Sequence, residues 1–255
     1  MDALPPVGLG TMGVEDPGVV ETALDVGYRH LDTAQIYENE AVVGEGLAAS
    51  GVPREDVTLA TKLWVDSLAP DDVEAGTRAS LDRLGVDSVD LLYVHRPRGG
   101  YDPEGTMAAL EDVLDAGLTD AVAVSNFTPA QYEAAAAHLD APLLANQVEF
   151  HPLFRQERLL DHAAEHDYTV VAYSPLAGGE VFEIPELQAI AEKHDTTEAA
   201  VSIAWLCQYD RVVTIPKASS REHLEANRAA ADLTLDPEDV ERIEGIDREV
   251  ELFPE

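Results

Sequence analysis

The sequence is poor in cysteine and has no long apolar run. Its single cysteine, Cys207, excludes an internal disulfide, and a reducing compartment is the simplest setting for such a chain. No apolar run reaches the roughly 20 residues that a membrane helix needs. Residues 1–6 lack the basic and then apolar pattern of a signal peptide. We therefore expect a cytoplasmic protein.

Basic residues are also scarce. The chain has 16 Lys and Arg against 50 Asp and Glu, which gives a formal net charge of −34. Such self-repulsion destabilises a compact state, but at molar salt the screening length falls to about 3 Å. The acids are spread along the whole chain. We therefore predict the salt-rich cytoplasm of an extreme halophile; a merely acidic mesophilic protein is the alternative. The same charge argues against nucleic acid and anionic membranes as partners.

Short apolar segments alternate with segments of helical periodicity eight times, which indicates an α/β fold with a parallel sheet. Eight such units in 255 residues favour a closed (β/α)8 TIM barrel, a single domain spanning residues 1–255. The predicted strands are residues 7–11, 28–32, 57–61, 90–95, 121–125, 143–147, 170–174 and 212–216. The predicted helices include residues 19–26, 40–49, 73–84, 107–116, 129–138, 159–165, 184–209, 221–231 and 236–246.

Polar side chains recur at or just past the carboxyl end of the predicted strands. In a barrel these ends meet on one face, where active sites are built. We therefore expect a functional site on that face. The residues in this position are Asp32, Lys62, His95, Ser125, Asn126, Gln147, Tyr173 and Lys217.

Four side chains near these ends suit proton transfer to a carbonyl oxygen. The phenol of Tyr37 has an ordinary pKa near 10, and an ammonium at Lys62 would lower that pKa by favouring the phenolate. Asp32 would keep the ammonium charged, and His95 could orient a carbonyl. Carbonyl reduction needs such a set because the oxygen receives a proton as hydride reaches carbon.

Six segments, in this order, resemble the aldo-keto reductase family, in particular its small prokaryotic members of the 2,5-diketo-gluconate reductase type. They are GYRHLDTAQIY at 27–37, ATKLW at 60–64, LLYVH at 91–95, VSNF at 124–127, NQVEFHP at 146–152 and IPK at 215–217. The resemblance implies NAD(P)H-dependent reduction of aldehydes or ketones to alcohols. It implies a catalytic tetrad of Asp32, Tyr37, Lys62 and His95, with Tyr37 as the general acid and hydride supplied from C4 of the nicotinamide.

The resemblance also implies a set of cofactor residues. Ser125, Asn126 and Gln147 would hydrogen-bond the nicotinamide carboxamide, and Tyr173 would stack on its ring. Further residues would lie along the rest of the cofactor or, in the case of Trp64, beside the substrate. These are Thr11, Met12, Asp32, Ser174, Leu176, Ile215 and Trp64.

An anion site is predicted after the eighth strand, where barrels often bind phosphate. Ser219 and Glu222 fit a capping box, and the free N–H groups of a helix start attract phosphate. A plain capped helix is the alternative. The residues assigned to this site are Lys217, Ser219, Ser220, Arg221, His223 and Asn227.

The predicted anion site departs in part from the pattern of NADPH-specific members of the family. His223 stands where NADPH-specific members of the family carry arginine, and Ala226 stands where they carry glutamate, although Asn227 is retained. Arg221 could reach the 2′-phosphate from a shifted position. We therefore expect NADPH to be preferred, with NADH as an alternative, and no metal.

The substrate pocket departs from the family at Arg96, where many members have tryptophan, and at Met12, where they have another aromatic residue. With Arg98, Arg96 suggests a preference for anionic carbonyl substrates such as sugar acids. Pairing of both arginines with acids such as Asp102 or Glu104 is the alternative. Since the chain ends soon after its last predicted helix, we expect a short or absent lid and broad specificity.

Two motifs point elsewhere. The GxGxxG pattern at 8–13 resembles a dinucleotide fingerprint, but Glu15 and Asp16 would then face the pyrophosphate. The HxxEH pattern at 162–166 resembles a zinc site, but we expect its polar residues to form a solvated helix face.

A cofactor-binding regulatory or redox-sensing subunit and a metal-dependent barrel enzyme are the competing functions. We expect a monomer acting on a small-molecule carbonyl.

Overall fold

Residues 4–254 are described by a computed structural model in which strands and helices alternate along the chain. The strands are β1 (Leu9–Gly10), β2 (His30–Asp32), β3 (Thr58–Leu63), β4 (Val89–Val94), β5 (Thr119–Ser125), β6 (Leu143–Glu149), β7 (Thr169–Tyr173) and β8 (Val212–Thr214). The helices are α1 (Pro17–Asp25), α2 (Glu40–Ala49), α3 (Val73–Leu84), α4 (Pro103–Asp115), α5 (Pro129–Ala136), α6 (Glu157–His166), α7 (Pro185–Lys193), α8 (Glu198–Cys207), α9 (Arg221–Ala229) and α10 (Pro237–Glu244). Short 3-10 turns lie at Gln35–Tyr37, Arg54–Asp56, Val65–Ser67, Ala177–Glu183 and Ala230–Asp232.

The strands form one parallel sheet in the order β1 to β8, which curls into a barrel. Its two edges meet through a parallel bridge between Val7 and Thr214. There the amide of Gly8 donates to the carbonyl of Thr214, and the amide of Thr214 donates to the carbonyl of Pro6, both at 2.9 Å. The predicted single-domain (β/α)8 fold is therefore confirmed.

The apolar core has two parts. The larger part fills the space between the outside of the sheet and the surrounding helices. The smaller part lies inside the barrel and includes one large ring, that of Tyr93. Its buried members are Ala60, Leu91, Tyr93, Ala123, Ala145, Val171, Val213 and Ile215.

Most element boundaries agree with the sequence pattern, but one predicted helix is wrong. Residues 184–209 form two helices, α7 and α8, because the chain turns between them. Asp195 has a positive φ of 51°, and the hydroxyl of Thr197 caps α8 by accepting from the amide of Ala200. The break lets both helices pack their apolar faces on the barrel.

The predicted cap of α9 is off by one residue. Ser220, and not Ser219 with Glu222, is the N-cap, since its side chain accepts from the amide of His223. The helix start remains in place after β8. The hydroxyl of Ser219 is therefore not needed to begin the helix.

The glycines of the GxGxxG pattern have a packing role in this barrel. A Cβ on Gly10 would lie 2.5 Å from the carbonyl oxygen of Ile215, and Gly13 has a positive φ of 72°. The pattern therefore allows β1 to approach the end of β8. Within residues 4–254, no helix is both long and apolar enough to cross a bilayer.

Candidate active site

A cavity of about 580 Å³ opens at the carboxyl ends of the strands. Most of the side chains that the sequence assigns to catalysis and cofactor binding line this cavity. Asp32 follows from β2, His95 from β4, and Ser125, Gln147 and Tyr173 from β5, β6 and β7. The predicted residues that line the cavity are Thr11, Met12, Asp32, Tyr37, Trp64, His95, Arg96, Ser125, Asn126, Gln147, Tyr173, Ser174, Leu176, Ile215 and Lys217.

Lys62 lies beneath this cavity, completely buried on β3. Its ammonium forms an ion pair with Asp32 and donates to the carbonyl oxygen of Thr33 at 2.8 Å. The hydroxyl of Tyr37 is 3.5 Å from the same nitrogen. The second carboxylate oxygen of Asp32 accepts from the amide of Gln147 at 2.7 Å. A hydrogen-bonded chain therefore runs from Gln147 through Asp32 and Lys62 to Tyr37.

Burial and neighbouring charges have opposite effects on the pKa values of Lys62 and Tyr37. Burial lowers the pKa of Lys62, but Asp32 and Tyr37 raise it, and the net result is a raised pKa. Burial raises the pKa of Tyr37, and this outweighs the opposing effect of Lys62. Lys62 acts on the pKa of this phenol in the expected direction, but burial, which the sequence did not show, leaves the pKa of Tyr37 above its ordinary value. Tyr37 holds its proton at neutral pH, with a charged ammonium beside it.

His95 closes this end of the cavity beside two aromatic rings. Its ring centroid lies 5.9 Å from that of Tyr37 and 5.0 Å from that of Trp64, both in edge-on contact. Burial, with help from Lys62 and Arg96, lowers the pKa of His95 to about 2. The imidazole is therefore neutral at physiological pH, and it can hydrogen-bond a carbonyl oxygen without competing as an acid.

Amide and hydroxyl groups form another wall of the cavity that Tyr37 lines. The hydroxyl of Tyr173 donates to the side-chain oxygen of Asn126 at 3.0 Å. The side-chain amide of Asn126 donates in turn to the hydroxyl of Ser125 at 3.1 Å. Asn126 and Ser174 both have positive φ, 62° and 53°, a conformation that costs free energy outside glycine and clusters at functional sites. The fold therefore holds these side chains in fixed positions beside the cavity.

This wall fits a nicotinamide. Asn126 and Gln147 offer amide groups that match a carboxamide, and Tyr173 lines the cavity with an aromatic ring. Lys217 lines the far end of the same cavity, just before the start of α9, where a phosphate would find a cation and free N–H groups. The residues present therefore suit a nicotinamide dinucleotide.

The remaining residues of the predicted anion site lie outside the cavity lining. Arg221 pairs with Asp25 at 2.5 Å and with Glu225 at 3.4 Å. Its guanidinium therefore faces acids on α1 and α9. Asn227 is buried. The other members lie around the exposed start of α9; they are Ser219, Ser220 and His223.

Exposed apolar side chains surround the cavity, and sequence reasoning missed most of them. The exposed large hydrophobic side chains of residues 4–254 all line this cavity. Only Met12 was predicted. No periodic pattern marks the other three, because each lies in a turn or near the end of the chain. They are Ile36, Phe182 and Phe253.

The segment after α10 reaches the cavity, so of the two expected alternatives, a short lid or none, the contacts favour the short lid. The carboxylate of Glu149, at the end of β6, accepts from the amide of Leu252 at 2.7 Å and from that of Phe253 at 3.0 Å. It also bonds the ring of His151 at 2.9 Å. The ring of Phe253 then packs edge-on against Tyr173, at 5.8 Å between centroids. Glu149 therefore sets the position of one cavity wall.

Comparisons with known proteins show the family to which the chain belongs. The aldo/keto reductase family model matches residues 7–248. The chain is 38% identical to methylglyoxal reductase DkgB of Escherichia coli O157:H7 over 96% of this chain and 94% of that protein. The crystal structure of a putative 2,5-diketo-D-gluconic acid reductase B matches with a TM-score of 0.91 and 38% identity, over 94% of this chain and 87% of that one.

The aldo-keto reductase MGS-M4, from a Medee basin deep-sea metagenome library, matches with a TM-score of 0.94 and 32% identity, over 100% of this chain and 95% of that one. The fold, the order of the motifs and these matches agree. The chain belongs to the aldo/keto reductase family of oxidoreductases, which reduce carbonyl groups.

Proposed function

We propose that this protein reduces aldehydes or ketones to alcohols with NAD(P)H, and that Tyr37 supplies the proton. The observation that carries the proposal is the contact of Tyr37 with a buried ammonium, Lys62, whose charge Asp32 holds in place. A carbonyl oxygen that gains negative charge needs a proton at that point. The phenol is protonated at neutral pH and opens into the cavity.

Each member of the tetrad has a separate task in this proposal. Tyr37 holds the proton and releases it to the oxygen. Lys62 stabilises the phenolate that remains, because its positive charge lies 3.5 Å away in a site of low dielectric. Asp32 keeps Lys62 charged despite burial. His95, neutral beside Trp64, orients the carbonyl oxygen toward Tyr37.

The nicotinamide cofactor, when bound, supplies hydride from C4. Asn126, Gln147 and Ser125 would hold its carboxamide, and Tyr173 would cover its ring. We propose NADPH as the preferred form, because Lys217 and the start of α9 offer positive charge at the far end of the cavity. NADH remains an alternative, since His223 stands where an arginine would favour the 2′-phosphate.

The chain's composition supports a proposal about its setting. A net charge of −34 and one cysteine suit a reducing cytoplasm with a high salt concentration. We propose a monomeric enzyme there, acting on a small carbonyl compound. The same negative charge repels nucleic acid and anionic membranes, so we propose neither as a partner.

The decisive experiment compares wild type with Tyr37→Phe in molar KCl. Both proteins are given NADPH or NADH and a panel of aldehydes and ketones that includes methylglyoxal and sugar acids. Oxidation of the cofactor is followed by its absorbance. We expect Tyr37→Phe to lower kcat by about 10²–10⁴, the usual contribution of a general acid, while the Kd for the cofactor stays within about twofold.

A matched control is Tyr209→Phe, because that hydroxyl bonds Glu244 on the outside of the barrel. We expect its turnover to equal that of wild type. Cofactor binding without turnover of any carbonyl in wild type would contradict the proposal and favour the regulatory subunit. Equal turnover by Tyr37→Phe and wild type would remove Tyr37 as the acid.

A further inference from the structure

We propose that Glu133, His162 and His166 form a binding site for a zinc-like divalent cation that links α5 to α6. One ligand atom from each side chain lies within 4.8 Å of the others. Two imidazoles and a carboxylate are a donor set that zinc takes in proteins, with a water in the fourth position. The solvated helix face expected for the HxxEH pattern is thus wrong in part, since His162 is buried.

The helix geometry brings the two imidazoles together. His162 and His166 are four residues apart on α6, so they share one face of the helix. Their rings stack with centroids 4.1 Å apart. Glu133 lies on α5, and a carboxylate oxygen of it lies within 4.8 Å of a nitrogen of each imidazole. The site therefore joins two helices that are separate in sequence.

The distance between two of the ligand atoms already suits a shared metal. Nε2 of His162 lies 3.3 Å from Oε1 of Glu133. In a tetrahedral zinc site with bonds of about 2.1 Å, neighbouring ligand atoms are roughly 3.4 Å apart. The side chains of Glu133 and His166 are exposed. Small side-chain rotations can therefore bring the His166 nitrogen to bonding distance of a metal held by the other two ligands.

The other nitrogen of His162 has a fixed partner, as metal-binding imidazoles usually do. Nδ1 lies 2.9 Å from the hydroxyl of Tyr168, which itself donates to the carbonyl of Leu159 at 3.5 Å. The hydroxyl has a lone pair with which to accept from Nδ1–H when Nε2 binds a cation. In that tautomer Nε2 carries the lone pair that a cation needs, and it faces the carboxylate. Without a cation, Nε2–H can instead donate to the carboxylate of Glu133.

A second cluster of possible ligands makes a useful contrast. His194, Asp236 and Asp239 also lie close together. However, the ammonium of Lys193 pairs with both carboxylates, at 2.5 and 2.7 Å. That cluster already contains its own cation. In the first cluster, by contrast, Glu133 pairs with the ring of His162.

The proposed site lies away from the catalytic end of the barrel. Tyr168 directly precedes β7, on the side where the strands begin, whereas Tyr37 and His95 lie where they end. The metal would therefore take no part in carbonyl reduction. Its effect would be to hold α5 against α6 and to neutralise charge in a chain of net charge −34.

The test uses the full, untagged chain with Co²⁺ and then Zn²⁺ as probes. Cobalt in a tetrahedral site with histidine ligands gives strong visible absorption, whereas cobalt on surface carboxylates gives weak absorption. We expect one strongly absorbing Co²⁺ per chain, displaced by Zn²⁺. We also expect Zn²⁺ to raise the melting temperature, because a ligand of the folded state stabilises it.

The key variants are His166→Gln and Glu133→Gln, both at exposed positions. Each should abolish the visible bands and weaken Zn²⁺ binding by at least about tenfold, with carbonyl reduction unchanged as proof of folding. His138→Gln, an exposed histidine just past α5, is the matched control and should bind like wild type. Absent bands in wild type, or equal zinc affinity in all four proteins, would overturn the proposal and leave a His162–Glu133 ion pair.

Discussion

At the scale of single residues, Arg96 is the side chain that can favour one class of substrate. It lines the cavity, and its positive charge affects the pKa values of Tyr37, His95 and Tyr173. We predict that Arg96→Ala lowers kcat/KM for anionic aldehydes relative to neutral ones by about tenfold, the value of a charge-assisted hydrogen bond.

The measurement is a pair of steady-state assays with matched anionic and neutral substrates. Arg98→Ala is the control, because Arg98 is not among the residues that line the cavity. If Arg96→Ala leaves the ratio of the two kcat/KM values unchanged, the preference for anionic substrates has another origin or does not exist.

We predict that Arg221 contributes to the preference for NADPH over NADH. In the structure its guanidinium is paired with Asp25, so it reaches a 2′-phosphate only by leaving that carboxylate. We predict that Arg221→Ala lowers kcat/KM for NADPH about tenfold more than for NADH. Asp25→Asn should act in the opposite direction because it frees the guanidinium. A ratio of NADPH to NADH that neither substitution moves would assign the preference to other residues.

At the scale of elements, the segment after α10 is attached to the barrel by one carboxylate. Glu149 is buried and accepts from two backbone amides and the ring of His151. A glutamine there has one oxygen, and its own amide hydrogens would oppose the Leu252 or Phe253 amide. We predict that Glu149→Gln releases Phe253 from the cavity wall and raises KM for bulky aromatic aldehydes by about tenfold. It should also lower stability by about 1–3 kcal/mol, the cost of one unpaired buried group.

Phe253→Ala separates the two effects. It should reproduce the rise in KM without the loss of stability, because Phe253 is partly exposed and its backbone bond to Glu149 remains. Chemical denaturation gives the stability, and kcat/KM for a small and a bulky aldehyde gives the specificity. Unchanged kinetics in both variants would show that this segment does not shape the substrate site.

The strands and helices also indicate how much of the structure the sequence specifies. The barrel and the end of it that carries the cavity were predictable, because polar residues such as Asp32, Lys62 and His95 recur near the carboxyl ends of the strands. The break between α7 and α8 was missed although residues 192–198 are all polar and Thr197, a good N-cap, marks the start of α8. Phe253 was unpredictable, since its place depends on hydrogen bonds to Glu149, about a hundred residues earlier. His162 was misplaced because a helical pattern alone cannot show that Tyr168 covers it.

At the scale of the whole molecule, charge sets the conditions under which this fold is stable. Sixteen Lys and Arg can neutralise at most 16 of the 50 acidic charges, so a net charge of −34 is left uncompensated. Exposed pairs such as Arg78–Glu74 contribute little, about 0–1 kcal/mol each. Repulsion among the remaining carboxylates therefore dominates the effect of salt on folding.

We predict that KCl raises the melting temperature steeply from low salt toward molar concentrations. Screening weakens the repulsion, and about 1 kcal/mol corresponds to roughly 2–4 °C for a domain of this size. The check is a melting series in KCl beside one in sucrose, which lacks charge but also favours compact states. A steep rise in KCl with a shallow one in sucrose would mark screening as the cause. A flat KCl series would contradict the halophilic setting, because repulsion among these carboxylates would then have no measurable cost.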